Sequence, residues 1–360
     1  GGGGGEGGGG GGEGGGGGGE GGGGEGGGGN GITSWTRVPD DDKIFGSSGS
    51  LGTKSFSSVA WGNGTFVAVG YWGSSSGTPT GKIAYSSDGV TWTPASLSPV
   101  PSAQINGVAW GGAAGSEKFV AVGWNGKIMH STDGVTWMNV TSSGSLNKVA
   151  WGGAAGSEKF VAAGLSGLIT YSSNGETWTP VTDSKFGSSG IYAIAWGNGI
   201  WVAAGDDGKM ASSTDGVTWT EISSSPFGSY RINAIAWGNG TWAVAGNTAI
   251  GNKIMYSSDG VTWMESNCAI FSSGSIESIA WGNGIWIAAG GETTYGKMAY
   301  STNGAAWTAG PGSSILDGLF YFVSINGIAY GGNSGNKRFV AAGQGSSIFP
   351  AQIWYSNVLE

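Results

Sequence analysis

The sequence predicts an all-β fold: a seven-bladed β-propeller of four-stranded antiparallel blades, its ring closed by the N-terminal strand, with an N-terminal polyglycine arm. Three observations predict it: a short aromatic motif that recurs seven times, an Asp-Gly or Asn-Gly turn in six of the copies, and a composition poor in helix formers. Gly contributes 79 of 360 residues and charged residues only 11%. Gly and β-branched residues are weak in helices, while β-branched and aromatic residues suit strands.

The first element is "GGGGGEGGGGGGEGGGGGGEGGGGEGGGG", residues 1–29, from Gly1 to Gly29. Glu6, Glu13, Glu20 and Glu25 interrupt it and supply four of the eight net negative charges. A Gly-rich tract is by default a flexible linker. This one is almost pure, without the Ser, Thr or Pro that linkers usually carry. Glycines without Cβ let chains approach closely, and an ordered tract must satisfy its backbone groups against other chains. The arm is therefore expected to join subunits into a homo-oligomer or polymer.

The repeats follow. "SVAWGNGTFVAVG" begins at Ser58, and related segments place their anchors at Trp61, Trp110, Trp151, Trp196, Trp237, Trp281 and Tyr330. The spacing is 41 to 49 residues, the period of a four-stranded propeller blade. Strand A is the "VAWG" segment. Strand B is "FVAVG", strand C is "KIAYS", and strand D is "VTWT" after a tight turn. Asp-Gly between alternating apolar runs is a strong hairpin signal. The seventh copy stops at "IWYSNVLE" with no turn or Trp after it. "NGITSWTRV", residues 30–38, is expected to supply the missing outer strand. The propeller then occupies residues 30–358, and Leu359-Glu360 stands outside it.

The second half of each repeat resembles the Asp-box, or BNR, repeat of sialidase-like propellers, with the pattern Ser-x-Asp-x-Gly-x-Thr-Trp. "SSDGVTW" stands at 86–92 and 257–263, and "STDGVTW" at 131–137 and 213–219. "SSNGETW" at 172–178 and "STNGAAW" at 301–307 carry Asn. All six lack the residue between Asp and Gly. The resemblance implies that Asp88, Asp133, Asn174, Asp215, Asp259 and Asn303 build structural turns on the face away from any active site. Ser and Asp can bond backbone N–H groups of such a turn, and the Trp is expected to pack on the next blade. Low-charge, repetitive propellers of this kind look like extracellular or cell-surface proteins of bacteria or phages.

Composition and motifs exclude several classes. No basic patch is present to follow a phosphate backbone, which argues against nucleic acid. No apolar run reaches the ~18 residues that span a bilayer. Cys268 is the only cysteine, so there is no intrachain disulfide and no cysteine metal cluster. No cofactor is expected. Arg37, Arg231 and Arg338 are the only arginines and do not form the arginine cluster that a sialidase is expected to need. His130 replaces a repeat Tyr on strand C. "PDDDK" at 39–43 and Asp206-Asp207 read as solvated loops, the first with a calcium site as the alternative. Glu117-Lys118 and Glu158-Lys159 are expected to form surface pairs.

Sixteen of nineteen tryptophans fall on repeat positions and are expected in the core. Trp72 and Trp124, placed in B–C loops, do not, nor does Trp354. With Tyr71, Tyr230, Arg231 and Tyr295, the loop tryptophans Trp72 and Trp124 form a candidate ligand-binding face, since aromatics on variable loops stack on sugars or anchor protein partners; loop packing is the alternative. Three functions compete: a non-enzymatic structural or adhesive subunit, a carbohydrate-binding propeller, and a glycosidase.

Overall fold

The computed structural model describes residues 32–39, 44, 52–74, 77–97, 100–142, 144–223, 225–248, 251–268, 270–271, 274–291, 296–309, 322–345 and 351–358. The arm with Gly1, Glu6, Glu13, Glu20, Glu25 and Gly29, the turn at Asn30, the acidic run 40–43 and Tyr295 lie outside these residues.

The described chain is all-β, with helix limited to isolated 3₁₀ turns. After β1 (Ile32–Arg37) the strands come in fours. Repeat one gives β2 (Gly52–Gly62), β3 (Thr65–Ser74), β4 (Thr80–Ser86) and β5 (Thr93–Pro94). Repeat two gives β6 (Ile105–Gly111), β7 (Lys118–Gly123), β8 (Lys127–Ser131) and β9 (Met138–Thr141), and repeat three β10 (Leu146–Gly152), β11 (Lys159–Gly164), β12 (Ile169–Ser172) and β13 (Thr179–Pro180). Repeat four gives β14 (Ile191–Gly197), β15 (Ile200–Gly205), β16 (Met210–Ser213) and β17 (Thr220–Glu221). Repeat five gives β18 (Ile232–Gly238), β19 (Thr241–Thr248), β20 (Gly251–Ser257) and β21 (Met264–Glu265). Repeat six gives β22 (Ser275–Gly282), β23 (Ile285–Gly291), β24 (Gly296–Ser301) and β25 (Thr308–Ala309). The last repeat holds β26 (Phe322–Gly331), β27 (Arg338–Gly345) and β28 (Gln352–Val358).

Repeats two to six each form a separate four-stranded antiparallel meander. The strands of repeats one and seven belong to one eight-stranded sheet, joined by the single pair Ser55↔Gln344. β1 pairs antiparallel with β28, from Ile32↔Val358 to Arg37↔Trp354.

Strand B is buried on both faces and reads as a continuous apolar run, as in "KFVAVG" of β7. Its alternation divides it between two cores. Phe119 and Ala121 pack with Val67 and Val69 of repeat one, while Val120 and Val122 pack with Phe160 and Ala162 of repeat three. The hydrophobic core is thus a series of layers between successive sheets. At ~25 cal/mol per Å² of apolar area, these layers supply the main driving force of folding.

One contact ties each sheet to the next at the end of strand A. A Cβ added to Gly111 would lie 2.0 Å from Cγ of Trp151, and at Gly152 2.3 Å from Cγ of Trp196. The same contact relates Gly62 to Trp110, Gly197 to Trp237, Gly238 to Trp281 and Gly282 to Tyr330. Gly331 meets Trp61, so the series returns to its start. The Gly after each anchor aromatic is needed because the next anchor ring lies on it.

The structure corrects three local expectations. The outer strands begin after the turn Trp rather than including it, because the turn residue at 88 captures the N–H groups of Val90 and Thr91 that a ladder would need. The turn Trp packs toward the preceding sheet, not the next: Trp137 joins the core shared with repeat one, and Trp219 that shared with repeat three. Trp72 lies in β3, paired with Thr80, because β2 and β3 run past the length of the other hairpins.

Candidate functional site

The two ends of the sheets use polar residues differently. At the C–D turns, Ser86 Oγ accepts the N–H of Gly89 at 2.8 Å and donates to Asp88 Oδ1 at 2.9 Å. That same oxygen accepts the N–H groups of Val90 and Thr91, both at 2.7 Å. Asp133, Asp215 and Asp259 repeat the arrangement, and Asn174 and Asn303 reproduce it with slightly longer bonds of 2.9 Å and 3.0 Å. In four copies the turn Trp donates its indole N–H to the turn Gly, as Trp137 does to Gly134 O at 3.0 Å. Burial pushes the Asp215 carboxyl up, but the N–H groups of Thr218 and Val217 outweigh it and hold the acid at about 2. Asp259 also stands at about 2, chiefly through the N–H of Thr262. These carboxylates are committed to their own turns.

The acid–lysine pairs of repeats two and three are also structural. Glu117 and Glu158 do not pair with their neighbours; each accepts a local backbone N–H, from Gly115 and Gly156 at 2.8 Å. Lys118 Nζ instead reaches Glu176 of the next repeat at 2.6 Å, and Lys159 Nζ reaches the carbonyl of Asp215 at 2.6 Å. A lysine at the start of strand B projects across to the neighbouring sheet, so sequence adjacency was misleading.

At the opposite end the innermost strands enter. Each carries a register shift at the same place, such as Ile105/Gly107, Leu146/Lys148 and Ile276/Ser278. The bulged residues are Ser57, Asn106, Asn147, Tyr192, Asn233, Glu277 and Asn326. A bulge re-aims its side chain out of the ladder. Opposite it the chain needs Gly: a Cβ on Gly123 would lie 2.0 Å from the carbonyl oxygen of Gln104.

Four of the bulged residues are asparagines that fasten the next repeat. Asn106 Nδ2 donates to Leu146 O at 2.9 Å, Asn147 to Ile191 O at 2.9 Å, Asn233 to Ile276 O at 3.2 Å, and Asn326 to Phe56 O at 2.8 Å. Ser57, Tyr192 and Glu277 break this series, and Lys148 stands one position further on where other repeats have Ser, Gly or Ala. Within the seven-residue "I-x-x-V-A-W-G" stretch of each innermost strand, Lys148 and Glu277 are the only charged residues.

A cavity of about 170 Å³ is lined by the innermost strands of all the repeats, Lys148, Tyr192 and Glu277 among them. A mouth of about 220 Å³ adds Tyr71, Gln104 and Arg231. Arg231 stacks on Tyr192 at 4.1 Å from the ring centroid, and its Nε donates to Asp206 Oδ1 at 2.7 Å. Burial pushes the Tyr192 phenol up, Arg231 opposes this and Asp206 adds to it. Burial also lowers the Lys148 ammonium, with Glu277 acting in the other direction. Neither Lys148 nor Glu277 forms a hydrogen bond or ion pair among the described residues.

Of the six residues expected on a binding face, Tyr71 and Arg231 line this mouth. Trp72 does not. It lies between Lys54 and Lys82, each 5.9 Å from its ring, and its buried indole N–H has no acceptor among the described residues. Trp124 and Tyr230 are each 40% exposed but do not join the cavity. Tyr295 is outside the described residues. Trp354 is buried in β28 and donates to Gln352 Oε1 at 3.1 Å. His130 is half-buried on β8, where burial depresses its imidazole, assisted by Lys118 and opposed by Glu176. Asp206 is no mere solvated loop residue, since it holds Arg231. Lys148, Tyr192 and Glu277 were missed by a search for aromatic loops. Their signal was available as departures from the repeat column beside "VAW". No group of three His, Cys, Asp or Glu side chains that could hold a metal is found among the described residues. No helix there is long and apolar enough to cross a membrane.

No family model matches the chain, and no curated protein matches it. Solved structures do. A YCF48 structure with a bound D1 peptide is similar with a TM-score of 0.57 at 16% identity, over 91% of this chain and 94% of that one. The WD40 β-propeller domain of Doa1 gives 0.56 at 11% identity, over 91% and 97%. The computationally designed Ika8 protein gives 0.50 at 11%, over 90% and 99%. At these identities the likeness concerns fold alone, and with the four-stranded meanders it makes the chain a β-propeller.

Proposed function

We propose that the chain is a non-enzymatic adhesive propeller of the Asp-box kind, extracellular or at the cell surface, that holds its ligand at the mouth of the axial cleft. The observation that carries this reading is the placement of unpaired charge. Carboxylates at the C–D turns are bound by backbone, whereas Lys148 and Glu277 line one cleft with no hydrogen bond or ion pair among the described residues. Hydrolysis of a glycoside by the usual route needs two carboxylates flanking the bond. Asp206 at the mouth is held by Arg231, leaving Glu277 alone there among the described residues, which favours binding over turnover.

On the same reading the disc has seven blades, and β1 completes the last. The Gly–aromatic contact that returns from Gly331 to Trp61 supports the count. Trp35 of β1 supports the closure. It packs with Ile287 and Met298 of the preceding repeat, as the turn tryptophans do, and donates to the Tyr300 hydroxyl. Residues 1–29, which precede β1 in the sequence, are the proposed connector between subunits.

The test is a glycan array and a peptide array probed with the full chain and with Lys148→Ala and Glu277→Ala. Ligands that bind the parent chain and are lost in both variants support the mouth as the seat. Ligands held equally by all three proteins remove it. Light scattering of a chain lacking residues 1–29 tests the connector, which is wrong if particle size is unchanged.

A further inference from the structure

The geometry points to a small zwitterion of the α-amino-acid class as the group seated between Lys148 and Glu277 in the axial cavity. This rests on the reading of the mouth as a ligand seat.

Lys148 comes from repeat three and Glu277 from repeat six, so the strands that carry them are not neighbours in the sheet order. Both line the narrow cavity and the wider mouth above it. They feel each other's field without meeting in an ion pair. Several of the other polar groups in the cleft are already engaged. The asparagines fasten the next strand, and Arg231 is neutralised by Asp206.

Two opposite charges held apart in a confined space select against simpler ligands. A lone carboxylate would pair with Lys148 and be repelled by Glu277. A lone ammonium would suffer the reverse. A neutral sugar would replace the hydrogen bonds of the displaced water but would bring no opposite charge to either ion, a weaker exchange than a charge-assisted pair. A group with both charges pairs with both. The size agrees: a cavity on the order of 150 Å³ admits a six-carbon ring, and this one is about 170 Å³.

The experiment is calorimetric titration of the full chain with the twenty amino acids, and with acetate, ethylammonium and glucose as single-feature probes. At least one amino acid is expected to bind, with acetate and ethylammonium ten-fold weaker or worse. Lys148→Met should abolish amino-acid binding. Glu277→Gln should reverse the preference, weakening the amino acid and strengthening acetate. Thermal melts of both variants establish that they fold. The inference is overturned if no amino acid binds, if Lys148→Met leaves binding unchanged, or if acetate binds the parent chain as well as the amino acid does. Array ligands that depend on Lys148 while free amino acids fail would overturn this inference and leave the mouth as the seat. Array ligands insensitive to both positions would remove the seat as well.

Discussion

The C–D turn end and the mouth end of this propeller treat charge in opposite ways. At the turns, each Asp sits where three donors already point at it, so ionisation is favoured and the charge stabilises the fold. At the mouth, Lys148 and Glu277 are brought in from solvent with no hydrogen-bond partner among the described residues. Burial disfavours the Lys148 ammonium and Glu277 offsets this only in part, so that charge opposes folding. Groups that cost stability and persist at a concave site are the usual mark of function. On the proposed reading, the contrast separates architecture from recognition.

The comparison is open to attack, most severely at the turn end. Trp137→Ala removes a buried ring from the layer between repeats one and two and is expected to cost about 3–5 kcal/mol in denaturant unfolding. Gly152→Ala forces a methyl onto the Trp196 ring and should cost about 1–3 kcal/mol. Asp259→Ala leaves two exposed N–H groups to water and should cost roughly 1–2 kcal/mol.

Acid exposes the same difference. Asp215 and Asp259 titrate at about 2 in the fold, below the ordinary value of 3.8. Their contribution is present above about pH 4 and is lost as the pH falls toward 2. Replacing Asp88, Asp133, Asp215 and Asp259 by Asn should flatten the acid limb of a stability–pH curve, as Asn174 and Asn303 already hold the turn without charge. An unchanged acid limb would mean that other groups govern it.

The smallest effect carries the opposite sign. Lys148→Met removes a desolvated ammonium and should change stability by no more than about 1 kcal/mol, in the stabilising direction. Because the folded-state ammonium is depressed, its cost is full below the folded-state value and fades as the pH rises toward the ordinary lysine value. The gap between variant and parent should narrow in alkaline melts. A large loss of stability in this variant would erase the distinction between the two ends.

Much of the architecture is legible in residue columns. The Ser, Asp, Gly and Trp of each turn act on one another within seven residues, so the sequence carries their geometry almost whole. The Gly after each anchor aromatic is legible as a column but not as a contact, since its partner ring lies a full repeat away. Where sequence reading went astray, the cause was range. Lys118 stands next to Glu117 yet bonds Glu176, and Trp72, read as a loop residue, extends a strand.

The sequence by itself determined the period, the strand order within each repeat and the chemistry of the turns, because all three depend on interactions between near neighbours. Tertiary structure alone decided that Lys148, Tyr192, Arg231 and Glu277 share one cleft. Radial repetition brings the same column of every repeat to the axis. Which odd members of that column face each other depends on how the sheets are arranged about it, and no local interaction encodes that.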